Sequence, residues 1–512
     1  MFVLSRGYEY PQQYVRVAPF PADPTDFPKL FETPPGLVEQ DWPPHQLAYL
    51  GVYLNELECR TIVLETHYID RDYIEDLSLF YGRSLRSYPN YCQRMHFFSE
   101  TFSDEQWRAM VVCPPGEMQQ ARERLQSTYL GFTVVRPLPA APVGRTILKT
   151  YGKTAPGGLT RDFGAIRKYQ VHLGGFSLNI EGLAFQQQDR GVSACATTAL
   201  WSALQRVTWM EGLPLASPAS ITESASRYLL AEGRALPSEG LTLHQIGEAT
   251  RAAGLAPLVI KSTSPEFDRA QLLGYISSGF APVLAIRVLK NSEGHAICGV
   301  GLKTGPVLPQ TEAQFFYREA ASAVQGVYVH DDRLGPYAVA AIFAHTITLD
   351  GGKNIVRTGL HLKWPDEVDA EVSVLDAIIV PLPTKVRLTI TRMRSLGLGV
   401  ANTVGKLLPQ FGQQTTLRCR YRLATDYRAA ARDFGLTPAG LYNLNCELVL
   451  SRYIGMIELS APDGAIVDFL LDATESGINP VVLGCVQRRS LSAEDSANLA
   501  FIASRLGTCF LQ

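Results

Sequence analysis

An α+β architecture follows from three features of the sequence. At 512 residues the chain is too long for one core, and about 150 residues per unit gives about three units. In the middle, one strongly helical run precedes several strand-like runs, which suits helices packed on an antiparallel sheet better than a doubly wound parallel sheet. On either side, short helical and alternating segments mix, as in mixed α/β flanking units. The divisions expected are 1–165, 181–383 and 384–512.

The elements follow in order. A proline-rich lead, FPADPTDFPKLFETPPGL, runs into the alternating CRTIVLE (Cys59 to Glu65). Helices after Asp104 feed a strand, GFTVVRPL, and the loop PAAPVGRTI follows, flanked by Arg136 and Arg145, which read as exposed arginines. HYIDRDYIED (His67 to Asp76) has the spacing of a solvated helix, and His96 in RMHFF reads as a core residue. In CATTALWSALQRV the apolar residues Ala196, Ala199, Leu200, Ala203, Leu204 and Val207 recur at three and four, so a helix starts at Cys195. Leu243, Ile246 and Ala249 mark another helix, which ends near Gly254 ahead of the apolar APLVI. LLGYISSGFAPVLAIRVLK reads as helix, glycine turn and buried strand, and GHAICGVGLK and GVYVHDD as two more strands. The segment from Lys303 to Gln325 is long for a hairpin and is expected as an insertion beside the cleft. Beyond Pro381 and Pro383, the runs KVRLTITRM, TTLRCRYRL, CELVLSRYIGMIELS and AIVDFLLDA read as strands and TDYRAAARDFG as a helix.

Composition narrows the function. Lys plus Arg (47) nearly balance Asp plus Glu (49), so nothing calls for nucleic acid or an anionic membrane. The arginines of RCRYR (Arg418 to Arg422) alternate as on the solvated face of a strand. No apolar run approaches the ~18 residues of a membrane helix, and the amino terminus has no signal-peptide pattern, so the expected compartment is the cytoplasm. Nine scattered cysteines without Cys-x-x-Cys pairs read as reduced thiols, and no zinc-ligand spacing is present. LGLGVANTVGK lacks the Ser or Thr of a phosphate-binding loop. Neither a metal nor another cofactor is expected.

The chemistry gathers around Cys195. A cysteine attacks as its thiolate, and the unpaired N–H groups and dipole at a helix start favour an anion. The same start lets the Cys195 N–H face a developing oxyanion, with a second donor from an upstream glutamine. Gln188 is the best placed by chain distance, and Gln187 and Gln186 are the fallbacks. A base should come from elsewhere with a third group to orient it. His295 opens HAICGVG; alternation puts it on one strand face with Ile297, while Ala296, Cys298 and Val300 take the other. The orienting group comes from the next strand, VYVHDD, in which Val327, Val329 and Asp331 share a face; Asp332 replaces Asp331 if the register is off by one.

The order Cys, His, Asp and the runs QQQDRGVSACATTALWSAL, GHAICGVGL and VYVHDDRLGPY resemble the papain-like cysteine peptidase superfamily, most closely its bacterial branch similar to the bacteriocin-processing, double-glycine-leader peptidases. The resemblance covers about 200 residues and not the flanks. It implies a papain-like central domain, with the cysteine helix packed on an antiparallel sheet, and a Cys195, His295, Asp331 and Gln188 site cleaving a protein or peptide amide through a thioester. Asp189 stands in the glutamine's usual slot, and Ala196 where relatives commonly have glycine. The flanks would select substrate or hold the enzyme inactive until a regulatory protein partner binds. Transamidation, glutamine deamidation or a catalytically silent binding scaffold use the same fold, and a bacterial antiviral or toxin-like complex is one setting for any of them.

Overall fold

The computed structural model describes residues 14–31, 44–138, 140–189, 191–192, 194–227, 240–309, 316–348, 354–363, 371–477 and 479–512. Residues 32–37 of the proline-rich lead, and 310–315 of the expected insertion, lie outside these. The protein is α+β, built on three larger sheets and one hairpin, and most strand pairs are antiparallel.

The first sheet runs in the order Val15–Pro19, Thr61–Tyr68, Cys92–Phe98, Tyr129–Val135 and Val143–Leu148, every neighbour antiparallel. Strongly apolar strands such as Tyr129–Val135, buried along their whole length, show that both of its faces are covered. His96 lies in this core, bonding Glu65 Oε2 at 3.0 Å and Tyr129 Oη at 2.9 Å. Burial pushes its pKa down to about 4. HYIDRDYIED departs from the solvated helix expected of it. Asp70 caps the helix Arg71–Leu79, and Asp70, Asp72 and Asp76 are all buried. Charge spacing resembles that of an exposed helix because partners from distant segments leave no trace in local sequence. Here Arg145 pairs with Asp70, and Asp76 Oδ1 accepts the Ala219 N–H at 3.1 Å.

The second sheet has nine strands and draws them from Thr154 to Leu382, so its first two strands precede residue 181. Six strands close on themselves in the order Val283–Val288, Gly294–Thr304, Val324–Asp331, Gly335–Thr348, Asn354–Leu362 and Glu371–Leu382, the last pairing back to Val283–Val288. Closure leaves those strands few free edges. The helix Cys195–Glu211 packs against this ring with Leu200, Leu204 and Val207 wholly buried, and ends at Gly212, whose φ of 66° only glycine adopts at little cost.

The third sheet runs Arg318–Glu319, Thr416–Leu423, Tyr453–Ala461, Gly464–Asp472, Val482–Gln487 and Cys509–Leu511, with its first and last pairs parallel. Arg418 and Arg420 point to a half-covered face, where Asp162 and Glu458 pair with them. Two expectations change here. KVRLTITRM is not a strand: the Thr389 hydroxyl accepts the Arg392 N–H and starts the helix Ile390–Leu407, which also contains LGLGVANTVGK. Its buried Ile390, Met393, Gly397, Val400, Ala401 and Val404 have helical spacing, which the β-branched residues at its start disguise. The described residues of 303–325 depart from the expected place beside the cleft: the segment leaves the far end of Gly294–Thr304, and Arg318–Glu319 edge the third sheet. CELVLSRYIGMIELS becomes a strand only from Tyr453.

Candidate active site

Cys195 opens its helix behind the N-cap residue Ala194, which offers no capping side chain. A helix start without a cap leaves backbone donors unspent, where a negative charge on sulfur or on a substrate oxygen is stabilised. The thiol is half-buried, and it neighbours His295, the second residue of Gly294–Thr304, closely enough to favour the imidazolium.

His295 Nε2 lies 3.0 Å from Asp331 Oδ1 and 3.7 Å from Asp332 Oδ1, which leaves Nδ1 for the cysteine. Register brings these groups together. Antiparallel pairing matches Cys298 with His330, so the start of the histidine strand runs beside the end of Val324–Asp331. Cys298 is fully buried on the opposite face from His295, and burial alone pushes its thiol pKa far up, so it is not a rival nucleophile.

Asp331 is held from two sides. The Arg333 backbone N–H and Nε donate to Oδ1 at 3.0 and 3.2 Å, and Nη2 donates to Oδ2 at 2.9 Å. Arg333 in turn reaches Glu371 through Nη1 at 3.1 Å and Nη2 at 2.8 Å. Sequence reasoning missed Arg333 and Glu371; the adjacency in HDDR was the only signal for the first, and the second is 38 residues further on.

Burial penalises every charge here, and the partners decide which charges persist. Burial opposes ionisation of Asp331, but the His295 and Arg333 cations hold it well below the carboxylate range. Burial likewise disfavours a cationic His295, yet Asp331, then Asp332 and the neighbouring Cys195, lift it to about 10. Asp332 is pushed up to about 6, by burial more than by the Asp331 charge. A raised histidine binds its proton more tightly folded than unfolded. Its stabilising contribution is therefore complete below pH ~6.5 and lost as pH climbs through about 10. Thermal melts from pH 7 to 10 should show the wild type losing stability faster than His295→Gln; parallel curves would contradict the raised affinity.

The three glutamines separate. Gln187 Oε1 accepts the Val143 N–H and its Nε2 donates to Ala140 O, both at 3.3 Å, so its amide is already used and it drops out as an oxyanion donor. Gln188 is half-buried. Gln186 is buried, with its Nε2 lacking a hydrogen-bond partner. Arg136, expected at the surface, is buried and donates to Gln187 O at 2.8 Å, anchoring this segment. Between the glutamines and Cys195 the chain turns at Asp189, whose Oδ1 accepts the Gly191 and Val192 N–H groups at 3.0 and 2.9 Å. Arg190 and Ser193 lie outside the described residues. Asp189→Ala should lower stability by about 2 kcal/mol in urea unfolding, the scale for two charge-assisted bonds partly replaced by water; a change below about 0.5 kcal/mol would show that the turn closes without them.

Among the described residues, His295, Asp331 and Asp332 are the one group of ligand-type atoms close enough to hold a metal ion. Both Asp331 oxygens are already engaged, and the Arg333 cation opposes a second positive charge, so the donor set suits an ion-pair relay better than a metal. No described helix is long and apolar enough to cross a membrane. Neither a protein-family model nor a curated protein matches the chain.

Proposed function

We propose that the chain is a cysteine peptidase, or a closely related amide-bond hydrolase, whose papain-like unit spans 181–383. The observation that carries this reading is His295, set between Cys195 at an uncapped helix start and the doubly held carboxylate of Asp331.

In this reading the proton given up by the thiol already rests on His295 Nδ1 at neutral pH, and the thiolate Sγ attacks the carbonyl carbon of a protein or peptide. The carbonyl oxygen becomes an oxyanion facing the Cys195 N–H and the amide of Gln188 or Gln186. Collapse breaks the C–N bond, and His295 gives its proton to the leaving amine. Water, losing a proton to His295, then resolves the thioester and frees the acid. Asp331 keeps the imidazole in the orientation that serves both transfers. All nine cysteines are free thiols, which supports action in a reducing compartment such as the cytoplasm.

The test is digestion of a peptide library read by mass spectrometry, with Cys195→Ala as control. New termini made by the wild type and absent with the variant are expected. Cleavage that survives Cys195→Ala would overturn the reading; glutamate or amine adducts without new termini would move it to deamidation or transamidation on the same intermediate. Gln186→Ala and Gln188→Ala, measured separately, should show one loss of about 10²–10³-fold in kcat. Two near-wild-type values would remove the side-chain donor from the mechanism.

A further inference from the structure

The acid turn of this site is gripped from outside its own unit. The helix His45–Glu56, which packs against the helical turn Pro24–Leu30, presents Gln46, Tyr49 and Tyr53 at helical spacing along one face. Gln46 Nε2 donates to the main-chain oxygen of Asp332 at 2.7 Å, across 286 residues. Tyr49 Oη donates to Pro336 O at 2.9 Å, and its ring lies so close to Gly335 that a Cβ there would stand 2.1 Å from Cδ1. Tyr53 stacks on Tyr337 with ring centroids 5.7 Å apart. Three successive steps of the helix face thus meet three successive parts of the chain leaving Asp331.

That chain needs holding. Asp331 and Asp332 are adjacent carboxylates, both buried, and they share one imidazole. Asp332 Oδ2 is buried without a hydrogen-bond partner. Tyr337 has a φ of 57°, a left-handed conformation that a bulky residue adopts only where its surroundings impose it. Arg333 ties the Asp331 side chain through its guanidinium and its own N–H, but the carbonyl side of the Asp332 peptide is a separate anchor point. Gln46 holds it.

We propose that Gln46 is a positioning residue for the thiol site: its amide, from the amino-terminal unit, holds the Asp331–Asp332 turn against His295. The amino-terminal unit is then part of the working site, in addition to any role in choosing substrate. This rests on the thiol-site reading for its meaning, but the contact acts on the imidazole and can be measured there. The charged and titratable groups facing that imidazole are Cys195, Asp331 and Asp332, with Arg333 and Glu371 behind Asp331. Gln46 adds no charge, so its removal can alter the proton affinity of His295 only by letting the carboxylates move.

The experiment is a histidine-selective ¹³C NMR titration of the full chain, comparing wild type, Gln46→Met and Gln46→Ala, with His295→Gln to assign the signal. Each folded variant is expected to titrate His295 at a midpoint about one unit below wild type, a tenfold loss of proton affinity. A midpoint equal to wild type in a variant that has only lost thermal stability would overturn the proposal and leave Gln46 a packing residue. Gln46→Asn keeps the amide on an arm too short to reach Asp332 O and is the further variant if both other Gln46 changes prevent folding; a wild-type midpoint there would overturn the proposal equally. Failure of the thiol-site reading looks different: peptide cleavage indifferent to Cys195→Ala, with the His295 midpoint still following Gln46.

Discussion

His295→Ala is expected to slow alkylation of Cys195 by iodoacetamide about 10–30-fold at pH 7, with exposed cysteines as internal standards in the digest. The range is set by the thiolate fraction, since a cysteine with an ordinary pKa of about 8.5 is only a few per cent thiolate at pH 7. The cysteine keeps its helix start in this variant, because the helix is held by Leu200, Leu204 and Val207 and not by the histidine. What is lost is the proton acceptor and the cation beside sulfur. Cys446 and Cys509 are exposed thiols with no such neighbour and should label alike in both proteins. Equal labelling of Cys195 with and without His295 would remove the activated nucleophile altogether.

Asp331→Asn should cost about 10³-fold in peptide turnover, and its pH profile should carry a second signature. An amide in place of the carboxylate removes the largest favourable influence on the imidazolium, so the alkaline limb set by His295 at about 10 should move toward the ordinary histidine value near 6.5. The loss should fall short of that seen when a triad has a single carboxylate, about 10⁴-fold. Asp332 remains 3.7 Å from Nε2 and can take part of the charge. Asp332→Asn should accordingly do less, shifting the limb by a fraction of the Asp331 effect. An unmoved alkaline limb in Asp331→Asn would show that the carboxylate does not govern the imidazole.

Much of the central region was legible because its signals are local. Apolar residues three and four apart defined the helix from Cys195, and alternation along GHAICGVG and VYVHDD put His295 and Asp331 on their strands. Where local signals conflict the reading erred. KVRLTITRM has β-branched residues at a helix start, and the aspartates of HYIDRDYIED are spaced like an exposed face, yet they are buried against Arg145 and a helix more than 140 residues on. Gln187 looked interchangeable with its neighbours until its amide was seen bonded to Ala140 and Val143.

The sequence by itself determined where the helix bearing Cys195 begins and which strand ends carry His295 and Asp331. Those are properties of residues within a turn or two of one another. The tertiary structure alone decided that Asp331 is shared with Arg333 and Glu371, that Asp332 stays within reach of the same ring, and that Gln46 and Arg136 of the amino-terminal unit hold the acid turn and the glutamine segment. The physical reason is that ionisation of a buried group depends on which charges and donors reach it through space, and chain spacing carries no record of a partner hundreds of residues away.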